Sequence, residues 1–143
     1  MYDDHAKAIQ DSLKQAQQRR TRAELGLQMF NFFFERYPET KKIFSGTELE
    51  SFAPLKFRLV SEFIVDSIKN HDYALYNMVS EMYRHRYFDV KDAEYYYGLM
   101  DACCGATQEA LGTEWTPALQ EYWQESLQAA KGVLQEAMHK AKG

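Results

Sequence analysis

Apolar positions recur every three to four residues along almost the whole chain, the spacing of helices that bury one face. From about Asp4 to Arg20 a narrow stripe of Ala8, Ile9, Leu13 and Ala16 runs through polar sequence. Thr21 and Glu24 have capping-box spacing and predict a second helix from Arg22 to Tyr37. Leu25, Met29, Phe30, Phe33 and Phe34 would face inward there. Gly26 within it costs stability unless another backbone passes close, so a helix crossing is expected at that point. Pro38 ends the helix, a short turn runs from Glu39 to Ile43, and Ser45-Gly46-Thr47 is a loop. Thr47 with Glu50 offers another capping pair. The next helix is expected from Ser51 to Lys69, with Pro54 in its first turn. Its apolar positions are Phe52, Leu55, Leu59, Val60, Phe63 and Ile64, with Lys56, Arg58, Glu62, Asp66 and Lys69 mostly outside. Asn70-His71-Asp72 interrupts the pattern, which resumes from Tyr73 to Phe88 with Leu75, Met78, Val79, Met82 and His85 on one side. Asp92 is a fair N-cap for a helix from Ala93 to Leu111, inward through Tyr96, Met100, Cys103, Thr107 and Leu111. Gly112 suits its end. Thr116-Pro117 then opens a last helix carrying Leu119, Trp123, Leu127, Ala130, Val133, Leu134 and Met138.

Composition narrows the class. Only 7 Gly and 3 Pro occur in 143 residues, and β-branched residues are few, which fits an all-α chain. The length suits one domain spanning residues 1–143. The 9 Phe and 10 Tyr would furnish walls for a flat aromatic cofactor. A net charge of −4 argues against nucleic acid as the main partner. No apolar run reaches membrane-spanning length, and Met1-Tyr2-Asp3-Asp4-His5 has no signal core. Cys103 and Cys104 are adjacent within a helical pattern, read as reduced thiols in a reducing, cytoplasmic setting. Arg19-Arg20 looks like a solvated basic patch. Tyr83, Tyr87, Tyr95, Tyr96 and Tyr97 are best taken as core and boundary aromatics rather than radical relays. No Gly-rich phosphate loop, CxxC, HExxH or Ser-His-Asp pattern occurs.

One histidine stands apart. His85 follows Met82 and Met78 on the apolar side of its helix, whereas His5 and His139 are near the termini and His71 is at a break. A lone histidine on such a face is usually a satisfied core residue. Its context changes that weighting. Gly26, Phe30, Phe34, Pro38 and Phe44 occur in an order and spacing similar to globins, and His85, Val90 and Tyr95 match the region around the haem-ligating histidine of that family. Asp89-Val90-Lys91-Asp92-Ala93-Glu94-Tyr95 resembles bacterial single-domain globins and the globin part of flavohaemoglobins. Trp115-Thr116-Pro117 and Tyr122-Trp123 resemble the start of their last helix, and Arg84-His85-Arg86 is similar to nematode globins. The likeness covers nearly the whole chain.

The resemblance implies a globin fold of six to eight helices around a pocket for haem b, with His85 as the axial metal ligand. It puts Phe30, Phe44, Leu55 and Leu59 on the distal side and Met82, Val90 and Tyr95 near His85, with Arg58 reaching a propionate. The ring proton of His85 would go to a backbone carbonyl of the Met78–Met82 turn or to the Tyr95 hydroxyl, with Glu136 as the nearest carboxylate. Lys56 is the closest candidate for an internal sixth ligand. With Leu55 and Phe30 both apolar, bound O2 would lack a hydrogen bond worth roughly 1.5–3 kcal/mol and dissociate faster for want of it, while CO, less polar when bound, would lose less.

The function implied is reversible binding of a diatomic gas (O2, CO or NO) for oxygen binding, transport or sensing. It leaves room for a protein partner or reductase, and involves neither nucleic acid nor membrane. Two alternatives stay open: a haem-free globin-like regulatory domain, and a haem enzyme with peroxidase or NO-detoxifying activity. The absence of an acid–base residue in an apolar distal pocket weighs against the enzyme.

Overall fold

The computed structural model describes residues 2–46, 48–84 and 90–142, with side chains described for 4–46, 48–84 and 91–141. Thr47 and the segment His85-Arg86-Tyr87-Phe88-Asp89 lie outside the described residues. Among the described residues all regular structure is helical. In chain order come α1 (Tyr2–Arg19), α2 (Arg22–Arg36), a 3-10 turn (Pro38–Lys42), α3 (Leu49–Lys69), α4 (His71–Arg84), α5 (Val90–Leu111), a second 3-10 turn (Gly112–Glu114) and α6 (Pro117–Lys142). None of these helices is long and apolar enough to cross a membrane.

The caps show why the helices begin and end where they do. Thr21 Oγ1 accepts from the Glu24 N–H, and the Glu24 carboxylate accepts from the Thr21 N–H, forming the expected box. Pro38 opens the first 3-10 turn. Thr116 Oγ1 accepts from the Leu119 N–H, starting α6 at Pro117. Gly112 ends α5 at φ +55°, a left-handed conformation costly for other residues.

Several boundaries and faces differ from the sequence pattern. α3 begins at Leu49, so Pro54 lies inside it, beyond the first turn. Pro54 has no N–H to give the carbonyl of Glu50, an exposed residue, its helical donor. α4 begins at His71, because Asn70 alone suffices for the break: its N–H bonds the Asp66 carbonyl and its side chain accepts from the Tyr73 N–H. α5 begins at Val90, which puts Asp92 in its first turn rather than at its cap. Arg19 and Arg20 are not simply solvated. Arg19 donates to the Leu111 carbonyl at 2.9 Å and the Ala110 carbonyl at 3.3 Å, neutralising the negative end of α5. Arg20 pairs with Glu109 at 3.0 Å.

Helix α2 packs chiefly against α5 and α3, α6 against α4 and α3, and α1 across α3, α5 and α6. The α2–α3 crossing is at Gly26, where an added Cβ would stand 2.4 Å from the Ala53 carbonyl oxygen. Trp123 is fully buried at the α1–α6 contact and donates its indole N–H to Ser12 Oγ at 3.1 Å. The Ser12 hydroxyl in turn donates a hydrogen bond to the Ile9 carbonyl. Among the described residues no buried side-chain polar atom is left without a partner.

Candidate functional site

Helices α3 and α4 form an antiparallel pair joined at Asn70. They part far enough to leave a cleft of about 410 Å³ between them, floored by α5. The α3 wall is Lys56, Leu59, Val60 and Phe63, the i, i+3, i+4, i+7 positions of one helix face. The α4 wall includes Ala74, Asn77, Met78 and Glu81, and Tyr96 and Met100 make the floor. Tyr73, Tyr76 and Arg84 stand towards the mouth, with Glu62 and Asp66. Large apolar groups stay open to solvent here: Leu59 is 46% exposed, Tyr73 52% and Tyr76 71%. Apolar surface left uncovered around a concave site marks a place for a ligand.

The electrostatics of the cleft are set by burial. Lys56 extends inward, its Nζ 5.1 Å from the centre of the Tyr96 ring. Desolvation lowers its pKa below the ordinary lysine value, opposed by the negative charge of Glu81. Desolvation likewise pushes the Tyr96 phenol up to about 12, with Glu81 and Asp92 adding to the shift. Asp66 is raised first by burial and then by neighbouring Glu62.

A family model described as Globin matches residues 27–134, three-quarters of the chain. The chain belongs to the globin family. Globins generally bind haem, and diatomic gases with it. No curated protein matches this globin significantly.

The cleft residues fit a flat apolar group. Two opposed helices offer Val60, Phe63 and Leu59 on one side and Ala74 and Met78 on the other, while Arg84 supplies a cation for an anionic edge.

Of the residues singled out by sequence, Leu59 lines this cleft. Leu55 does not: it is 45% exposed and lies about 100° around the helix from Lys56. Arg58 lies about 200° from Lys56 and faces a separate groove with Lys7, Asp11 and Glu62. The expected stripe of Leu55 and Leu59 is therefore shifted in phase, and the buried spine of α3 is Ala53, Phe57, Val60 and Ile64. Lys56, expected mostly outside although named as a candidate internal ligand, is turned into the cleft.

Phe30 is fully buried beyond the cleft lining and meets Phe44 edge-on at 5.1 Å, with Phe34 and Phe52 completing an aromatic cluster. Met82 is buried in the core. Tyr95 is directed to the end of α2, its hydroxyl donating to Glu39 at 3.1 Å and its ring meeting Tyr37 and Phe33. Glu136, the other acceptor considered for the axial imidazole, bonds His71 at 3.0 Å. The side chain of Val90, and His85 itself, lie outside the described residues.

Phe63, Tyr96 and Met100 are contributors that sequence did not assign to the site, whereas Lys56 was named there only as a candidate internal sixth ligand. The signal was present in the spacing of Lys56, Leu59, Val60 and Phe63, but a lysine at the head of a stripe reads as its polar border.

Proposed function

We propose that this globin binds haem b in the α3–α4 cleft with His85 as axial ligand, and that it holds a diatomic gas reversibly. The observation carrying this is the open cleft itself, with Leu59, Val60 and Phe63 facing Ala74 and Met78 across it and Leu59, Tyr73 and Tyr76 left uncovered. The choice of histidine has separate support. His5 pairs with Glu125, His71 with Asp72 and Glu136, and His139 is exposed near the end of α6. His85 follows Arg84, whose side chain lines the cleft.

The haem supplies an iron centre at which a small gas is held. The chain's own residues do the rest. Val60, Phe63, Met78 and Met100 keep water from the centre of the cleft. Leu59 and Tyr76 cover its open edge, and Arg84 faces the anionic edge of the group. Phe44, braced by Phe30, is assigned to the flank, and Met82 and Val90 to the side of His85.

The test is a spectrum. Purified protein given haemin and then reduced should take up CO reversibly with a sharp Soret band, and release it under argon. His85→Ala should lose that band. A reduced, haemin-treated protein whose spectrum equals free haem in buffer would overturn the reading. An enzymatic role would need peroxide or NO turnover above that of free haem with a supplied reductant, and we expect none.

A further inference from the structure

Lys56 is unusual among the cleft residues. It stands on the α3 face that also carries Leu59, Val60 and Phe63, so its side chain enters an apolar space instead of leaving for water. Its stem and Nζ extend over Tyr96 at the floor, not towards the rim. Lys56 and Arg84 are equidistant in sequence from the Asn70 turn, so the antiparallel pairing sets Lys56 opposite the C-terminal end of α4. The electrostatic coupling of Lys56 to Glu81 agrees with that register. Of the α3 residues lining the cleft, Lys56 is the one with a nitrogen or sulfur donor; the others are Leu59, Val60, Glu62, Phe63 and Asp66. The thioether of Met78 belongs to the opposite wall, and Met100 is sealed in the floor at 1% exposure.

We propose that Lys56 is an internal ligand of the resting iron, its neutral amine binding on the face away from His85 and giving way when a gas arrives. The inference rests on the haem reading above. Its chemistry is that of a buried amine: an ammonium loses hydration in the cleft, whereas a neutral amine offers a lone pair to a metal. A four-carbon stem with free rotation lets the amine swing off again. The iron–nitrogen bond forms and breaks with no change in electron count, and the proton lost from the ammonium goes to solvent.

Three proteins decide it: wild type, Lys56→Ala and Lys56→Arg, each loaded with haemin and followed by absorption and electron paramagnetic resonance. Haemin stoichiometry comes first. A wild type that takes up no haemin fails the cofactor reading, and the lysine role with it. With one haemin bound, the wild type should be six-coordinate and low-spin in ferric and ferrous forms. Both variants should turn high-spin, because arginine keeps the charge but does not coordinate. If the lysine occupies about nine-tenths of the ferrous sites, its removal should tighten apparent CO binding about tenfold. A loaded wild type that is high-spin, or low-spin in all three proteins, overturns the proposal while leaving the cofactor reading intact. So does weaker haemin binding in Lys56→Ala, rescued in Lys56→Arg with no change of spin state, which would make Lys56 a carboxylate anchor.

Discussion

A lysine that begins an apolar stripe reads in sequence either as the polar border of that stripe or as an internal ligand, and the phase of its helix turns it into the cleft. Counting from Leu55 gives a cleft face without a polar donor; counting from Lys56 gives one with an amine at its head. The difference of one residue is about 100° of rotation. That phase was not legible because Leu55 and Leu59 are both apolar yet half-exposed, the condition of residues beside an uncovered cleft. The desolvated amine carries a stability cost in the haem-free protein. Lys56→Met, similar in length and uncharged, should therefore raise its stability by about 1 kcal/mol in urea melts; a loss of stability would mean the ammonium is well compensated where it is. His71 gives a pH-dependent counterpart. Its pKa is raised by hydrogen bonds to Asp72 first and then Glu136, against desolvation. A raised folded-state value stabilises below the unfolded pKa and ceases to do so as pH climbs through the folded one. His71→Gln should then lower the melting temperature more at about pH 5.5 than at about pH 8.5. His71 and Glu136 are half-exposed and Asp72 is fully exposed, so the effect should stay near a few tenths of a kcal/mol. Equal losses at both pH values would contradict that assignment.

At the scale of elements, local chemistry fixed most boundaries. Thr21 with Glu24, Pro38, Gly112 and Thr116-Pro117 each mark a helix end by a hydrogen bond or backbone angle that only certain residues supply. Where several signals were adjacent, as at Asn70-His71-Asp72, the sequence did not tell which one acts. The α2–α3 crossing was legible from Gly26 alone, since a glycine within a helix otherwise has only a cost. The space there is closed by backbone: the Ala53 carbonyl oxygen would be 2.4 Å from a new Cβ. Gly26→Ala should destabilise by about 3 kcal/mol in denaturant titrations, because two helices must part to admit one methyl group. A near-neutral result would mean that the two helices do not meet backbone to backbone at Gly26. The role of Arg19 was hidden in sequence because its acceptors, the Ala110 and Leu111 carbonyls, are remote in the chain. Arg19→Met keeps the stem but removes the donors. It should cost about 1–2 kcal/mol, read as a lower urea midpoint at unchanged slope.

For the whole molecule, the all-α class and the family were readable because they depend on distributed spacing, which survives small errors of phase. The site was less so. It is assembled from α3, α4 and α5, so a shift in any one face moves the lining. Tyr95 and Tyr96 show this: adjacent in sequence, one bonds Glu39 beside α2 and the other floors the cleft. The central claim is that one imidazole ties a haem to this chain. It is tested most directly by titrating haemin into wild type and His85→Gly, the latter with and without free imidazole, while recording the Soret band. The expected result is a sharp one-to-one end point for wild type, a loss of that end point in His85→Gly, and its return when imidazole fills the vacated position. Identical titration curves for the two proteins, with no response to imidazole, would contradict it.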